Sequence, residues 1–275
     1  MALAGRAAWL GVVHLLGSNS LTFASSIAYY TLLSTFPFLL LVLSIASRLT
    51  LAYSPETVAT IFAETLPRQF DFLVDRVNEL ASAPLKLSLA STVLSIWASM
   101  GVFGALTSAV NHAWGVQRSY SFLKHRLVAF VMLLAAGLLL FGALALNGMV
   151  AVVQADWFAK VVDDFPWLQG FSSFASRNAS TPLFILVVGL IYYFAPNTRV
   201  RLRDVWFGAI LAGLLWRLAL TGFSWYVTNV SSFSVHGSIA AVVVFLVWVY
   251  MSAVILLYGV EVTAAYAKLR KDAGD

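Results

Sequence analysis

Apolar residues run through this chain in long blocks separated by short polar stretches. Six blocks approach the length of about 20 residues that a membrane-crossing helix needs: 21–47, 88–112, 127–153, 181–195, 205–228 and 238–260, the fourth being the shortest. Within hydrocarbon every backbone donor and acceptor must be satisfied inside the segment, which a helix does. The pattern therefore predicts an all-α, polytopic membrane protein with six transmembrane helices in a single integral domain covering 1–275. The first 17 residues place Arg6, Trp9 and His14 among small apolar residues. They do not read as a cleavable signal peptide; they predict a short helix at the membrane interface. Between the first two spans, 48–87 reads as an outer helical insertion. Ser54 caps a helix with Pro55 in its first turn, and Val58, Ile61, Phe62 and Leu66 share one face. After Pro67, the residues Phe70, Leu73, Val74, Val77 and Leu80 recur at helical spacing opposite Asp71, Asp75, Arg76 and Glu79. These are two amphipathic outer helices. Segment 154–180 is rich in Trp and Phe, as interfacial pieces are, and 229–237 carries no charge.

Composition sharpens this picture. Of the 275 residues 61% are hydrophobic and 11% charged, against about 25% charged in soluble domains. The mean hydropathy is +0.87. So much apolar surface exceeds what one soluble core of this size buries, which excludes an ordinary cytosolic enzyme. The chain has no cysteine, which removes disulfides, thiolate metal sites and cysteine nucleophiles.

The net charge of +5 reports topology before it reports a partner. One side of a six-span chain receives Arg6, the basic residues of 118–126 and 199–203, and Lys268, Arg270 and Lys271. That makes ten; six fall on the other side, and Arg217 lies within a span, accounting for all 17. The ten-residue side is predicted to be cytoplasmic, with both termini on it. This distribution explains the basic composition without nucleic acid, and no nucleic-acid partner is expected.

Polar groups within spans are costly and each needs a reason. Arg217 falls near mid-depth of the fifth span, about 18 Å from its start at ~1.5 Å per residue. It is either a site for an anionic group or an arginine satisfied by carbonyls and hydroxyls. Glu261 lies near the inner end of the sixth span. It either takes up a proton or cation, or is the structural partner of Arg126, Arg201 or Arg203. Asn19, Thr22, Ser26, Tyr29 and Tyr30 share one face of the first span, at a depth similar to Asn111 and His112. Together with Glu261 they outline a candidate substrate-binding cavity open to the cytoplasm, or a set of interhelical hydrogen bonds. Pro37 interrupts the same span and is a candidate hinge. The small residues Ser91, Ser95 and Ser99, then Gly101, Ala105 and Ala109, and also Ala209 and Gly213, read as close helix packing.

No enzyme constellation emerges. The histidines are His14, His112, His125 and His236, without the spacing that places metal ligands on one helix face. No nucleophile elbow or P-loop is present. Paired carboxylates occur as Asp163-Asp164 in an outer segment. The expectation is a protein that is not an enzyme, with no cofactor and no metal.

Several motifs taken jointly carry a resemblance. The first span reads Ala28-Tyr29-Tyr30 followed by Ser34 and Pro37; the second reads Trp97-Ala98-Ser99, then Asn111-His112-Ala113-Trp114; the end reads Gly237-Ser238, Trp248-Val249-Tyr250 and Gly259-Val260-Glu261. With this spacing the chain resembles the YihY/BrkB family of bacterial inner-membrane proteins, once labelled ribonuclease BN-like. The resemblance covers nearly the whole chain and implies six transmembrane helices and an inner-membrane location. It departs at His236, where the family usually has tyrosine, and at Leu220 and Thr221, where the family often carries a lysine. The function expected is a transporter or flippase of an anionic, amphipathic, lipid-like envelope substrate. The alternative is a non-transporting scaffold or assembly factor, with a ribonuclease a distant third. Membrane lipids are the expected partners, and homo-oligomerisation is left open. The topology is checked by cysteine labelling: Phe122→Cys is expected to resist a membrane-impermeant maleimide in intact cells and to react after permeabilisation.

Overall fold

The computed structural model describes residues 2–48, 89–116, 123–124, 126–134, 180–229 and 237–273. The predicted outer helices of 48–87, the aromatic segment 154–180, the uncharged 229–237 and most of the third span lie outside the described residues. Those described form seven helices: α1 (Ala2–Gly17), α2 (Ser20–Arg48), α3 (Leu89–Ala113), α4 (helical over 126–134), α5 (Ser180–Phe194), α6 (Leu202–Asn229) and α7 (Gly237–Asp272).

Among the described residues three helices are long and apolar enough to cross a membrane, over Thr92–Ala113 in α3, Leu202–Tyr226 in α6 and Val242–Asp272 in α7. They coincide with the second, fifth and sixth predicted spans. α2, at 29 residues, has the length of the first predicted span. α5, at 15 residues, is about 22 Å long at ~1.5 Å per residue, shorter than the ~30 Å hydrocarbon core. The sixth span was expected to end at Val260, yet α7 runs on to Asp272. The reason is local: 262–271 carries three Ala, two Lys, Leu269 and Arg270, all strong helix formers, and has no Gly or Pro to stop the helix.

α7 is the axis of the molecule. It packs against α1, α2, α3, α5 and α6, and Val260, Leu257, Val110, Val188, Val205 and Tyr192 are buried where these helices meet. The predicted small-residue stripes face inward: Ser95, Ser99, Ala109 and Ala209 are buried, and a Cβ on Gly213 would collide with Ile185 of α5. The tightest approach, between α6 and α7, was not anticipated. A side chain on Gly208 would meet Thr263 and the Gly259 carbonyl, and one on Gly259 would meet Tyr192 and, at 2.9 Å, Ala212. Tyr192 donates to the Leu256 carbonyl at 2.6 Å, tying α5 to α7 at the same level. Ser34 donates to the Ala98 carbonyl at 2.9 Å and joins α2 to α3.

Helix ends at one pole are closed by their own sequence. α3 stops at Gly115, whose φ of 63° suits glycine. Gly115 N donates to His112 O (2.9 Å) and Val116 N to Asn111 O (3.0 Å), the Schellman pattern. Asn19 caps α2, its carbonyl accepting from Phe23 N at 3.0 Å. The predicted N-terminal helix exists, but its position is against α7: Ala7 is buried there, and Tyr258 donates to the Ala8 carbonyl at 3.1 Å.

The glycine contact is open to test. Gly208→Ala and Gly259→Ala are each expected to destabilise the detergent-solubilised protein by about 1–3 kcal/mol through overpacking, read as a lower thermal unfolding temperature. Gly222→Ala, in open space on α6, is expected to leave it unchanged or raise it.

Candidate functional site

Glu261 sits inside the extended α7 with a relative exposure of 3%. A buried carboxylate requires hydrogen-bond or charge partners, and the α1–α2 corner supplies them. Ser20 Oγ donates to Oε1 at 2.9 Å. Ser18 and Ser20 hydroxyls are 2.7 Å apart; with the Ser20 proton committed to Glu261, Ser18 is the donor. His14 Nδ1 stands 3.8 Å from Oε2 and supplies a counter-charge when protonated. The carboxylate borders a cavity of about 360 Å³ that is also lined by Val13, His14, Ser18 and His112. Glu261 thus faces the bundle, and its partners lie in the corner between α1 and α2.

Asn111 is a staple. Its Nδ2 donates to the Thr107 carbonyl at 2.9 Å, and its Oδ1 accepts from Asn197 N at 2.6 Å. It thereby docks the turn after α5 onto the end of α3. Lys124 Nζ reaches Asn197 Oδ1 at 3.4 Å, so the two predicted basic loops sit at the same pole.

That pole holds a second cavity, of about 780 Å³, with Arg199, Arg201, Lys268, Arg270, Lys271 and Asp204 in its wall. Asp204 lies in the first turn of α6 and Arg270 in the last turn of α7, each the favourable sign for its helix end. They form an ion pair of 2.7 Å, with side-chain exposures of 6% and 12%. His14 and Gly115 border both cavities.

Arg217 is far from this pole. It lies 15 residues into α6, about 22 Å along the axis at ~1.5 Å per residue. Its side chain is exposed, and Nη1 donates to Thr181 Oγ1 at 3.1 Å. Thr181 is in the first turn of α5, where backbone N–H groups lack helical acceptors and the dipole is positive. Arg217 and this helix start are two positive features placed together at mid-depth. An aromatic column runs alongside: Phe184 stacks on Trp216 at 4.2 Å, and Trp248 follows at 6.0 Å.

The remaining predicted residues do not gather at Glu261. Asn19 is exposed, Ser26 bonds back to the Thr22 carbonyl at 3.1 Å, Tyr29 is exposed, and the half-exposed ring of Tyr30 lies against Gly101 of α3. Neither cavity is lined by them, by Asn111 or by Arg217. α2 continues as helix through Pro37. Sequence reasoning missed Ser20 and His14 as the partners of Glu261; a serine pair flanking the cap Asn19 was the signal available. It also missed the Asp204–Arg270 pair, for which opposite charges at the start of one helix and the end of the next were the clue.

Among the described residues, three apolar helices of spanning length, an interior of small residues and polar groups satisfied between helices match what a helical membrane protein requires. The chain belongs to the family described as Virulence factor BrkB, whose model matches residues 13–275. It is 29% identical over 261 residues to a Bacillus subtilis protein named as ribonuclease-like, YfkH, covering 90% of each chain. It is 28% identical to a protein of Cronobacter sakazakii named UPF0761 membrane protein, across 97% of this chain and 92% of that one. A protein of the same name from Alkalilimnicola ehrlichii is 27% identical, and there the match spans 54% of the relative's length. No solved structure matches the chain.

Three substitutions separate the roles of the acids. Asp204→Asn removes one partner of a nearly buried ion pair and is expected to cost about 3 kcal/mol, read in thermal unfolding. Glu261→Leu strands the Ser20 hydroxyl at a cost of about 1–3 kcal/mol, whereas Glu261→Gln keeps an acceptor for Ser20 and is expected to unfold close to the parent temperature.

Proposed function

We propose that this protein moves an anionic, amphipathic envelope molecule, a lipid or lipid-like precursor, across the bacterial inner membrane as a transporter or flippase. It does so as a multi-pass protein with both termini in the cytoplasm. The observation that carries this reading is the placement of Arg217 against the first turn of α5. A cation at the positive end of a helix is electrostatically unfavourable by itself and becomes favourable with an anion between them. Short helices that begin inside the membrane and present their N-termini to an anionic substrate group are a recurring device of transporters. The exposure of Arg217 lets a headgroup approach from the lipid side while its tails stay in hydrocarbon.

A scaffold is the second reading, favoured by Ser34, Asn111 and Tyr192, which all hold helices together. An enzymatic role receives less support. Asp204 and Glu261, the acids of the described pole outside the last residues of α7, are engaged by Arg270 and by Ser20 with His14.

In proteoliposomes, the protein is expected to accelerate transbilayer movement of a fluorescent anionic phospholipid. Arg217→Leu is expected to reduce the rate at least about tenfold without loss of thermal stability, and Arg217→Lys to retain part of it, since charge remains but the planar fork is lost. Full flux with Arg217→Leu defeats the anion-site reading. Unfolding of the leucine variant, with lysine restoring stability but no flux appearing in any preparation, favours the scaffold.

A further inference from the structure

The larger cavity at the basic pole is an unassigned site. We propose that it binds a dianionic phosphate group, carried either by a phospholipid headgroup or by a soluble phosphomonoester. This goes beyond the transport reading, because such a site would serve equally in a protein that moves nothing.

Basic residues at one end of a membrane protein ordinarily report topology, so charge alone argues nothing. The arrangement argues more. Arg199 and Arg201 come from the turn ahead of α6, and Lys268, Arg270 and Lys271 from the end of α7. The two groups are separated by some 70 positions in sequence, yet they converge on one cavity of about 780 Å³, a volume typical of small-molecule sites. Self-repulsion among five cations would drive such a cluster apart unless something holds it. The Asp204–Arg270 pair does so at 2.7 Å, fixing the start of α6 to the end of α7. It engages the acid among these six residues and leaves a wall of excess positive charge.

Trp114 also lines the cavity. Guanidinium groups offer planar, bidentate donors to phosphate oxygens, and the lysines add mobile ammonium charges. Phosphate is favoured over carboxylate because a dianion with three terminal oxygens satisfies donors from both elements at once. His14, shared with the Glu261 cavity, borders the rim without being needed for the charge argument.

The test uses the full-length protein, purified in mild detergent and examined by native mass spectrometry. The probes are dioleoyl phosphatidic acid, dioleoyl phosphatidylcholine and glycerol 3-phosphate. Selective retention of phosphatidic acid over phosphatidylcholine, weakened at least about tenfold by Arg199→Ala and Lys268→Ala, identifies a lipid headgroup site. Binding of glycerol 3-phosphate in preference to the lipid, lost in the same variants, identifies a soluble ligand. Arg6→Ala removes one exposed cation outside the cavity wall and is expected to leave either affinity within about twofold. Circular dichroism confirms that each variant is folded; should an alanine variant unfold, Arg199→Gln and Lys268→Gln replace it. Equal weakening by Arg6→Ala, or no phosphate-selective binding by the parent, overturns the proposal. These readouts involve no transport, so the site and the proposed movement across the membrane fail separately.

Discussion

Where Gly208 faces Gly259, α6 and α7 approach until backbone lies against backbone, with Thr263 and Tyr192 closing around the contact. In hydrocarbon no hydrophobic force drives helices together, because lipid tails are as apolar as leucine. Association rests on close packing and on interhelical hydrogen bonds. Both are concentrated here, since the Tyr192 hydroxyl donates across to the Leu256 carbonyl at the same level. The contact sets the register between α6 and α7. That register determines what meets what at the pole: Asp204, one turn before Gly208, comes opposite Arg270. A shift of α6 by one turn would separate that pair and leave two charges without their partners, so packing and electrostatics select the same alignment.

The extension of α7 follows from the same geometry. Three further turns beyond Val260 give α1 a surface on which Gly11 can lie against Val262. They also place Glu261 within a helix whose sides are already covered. A carboxylate at a fraying end would be solvated by water; within this helix it depends on Ser20 and His14. The α1–α2 corner is thus held from two directions, by the Asn19 cap within the chain and by Glu261 from across the bundle.

Much of the fold was legible in the sequence because the membrane leaves few options. The helices found at α2, α3, α5 and α6 begin and end within a few residues of the apolar blocks, and the serine and alanine stripes of α3 lie inward as their spacing required. Hydropathy stopped too early on α7, since it registers the change of solvent at Val260 but is blind to a helix that continues beyond it. The candidate site was legible in part. Glu261 was singled out as a group that needs a partner, because a charge within a span is costly and so informative by itself. The Asn19–Tyr30 stripe was misjoined to it, because helical periodicity shows which residues share a face but not which way that face points. Ser and Thr made the error easy: in α2 the hydroxyls of Ser25, Ser26, Thr31 and Thr35 bond back to their own helix, so a polar stripe there need not seek a neighbour.

The positions of the polar features constrain how any amphipathic molecule could use them. The Glu261 cavity opens among α1, the α1–α2 turn, the end of α3 and α7, whereas Arg217 lies on the exposed side of α6 beside α5. Between them stand Val188, Tyr192, Ala209, Ala212, Leu257 and Val260, all buried and packed together. A hydrated tunnel through that core would have to part the glycine contact on which the α6–α7 alignment depends. A path along the outside carries no such penalty, because the exposed face around Arg217 is apolar, with Leu214 and Leu218 adjacent. Acyl chains can stay in lipid there while a headgroup meets the guanidinium. Transport by this molecule would then be a matter of a charged step on a lipid-facing surface, and the interior would serve to hold that step at its depth.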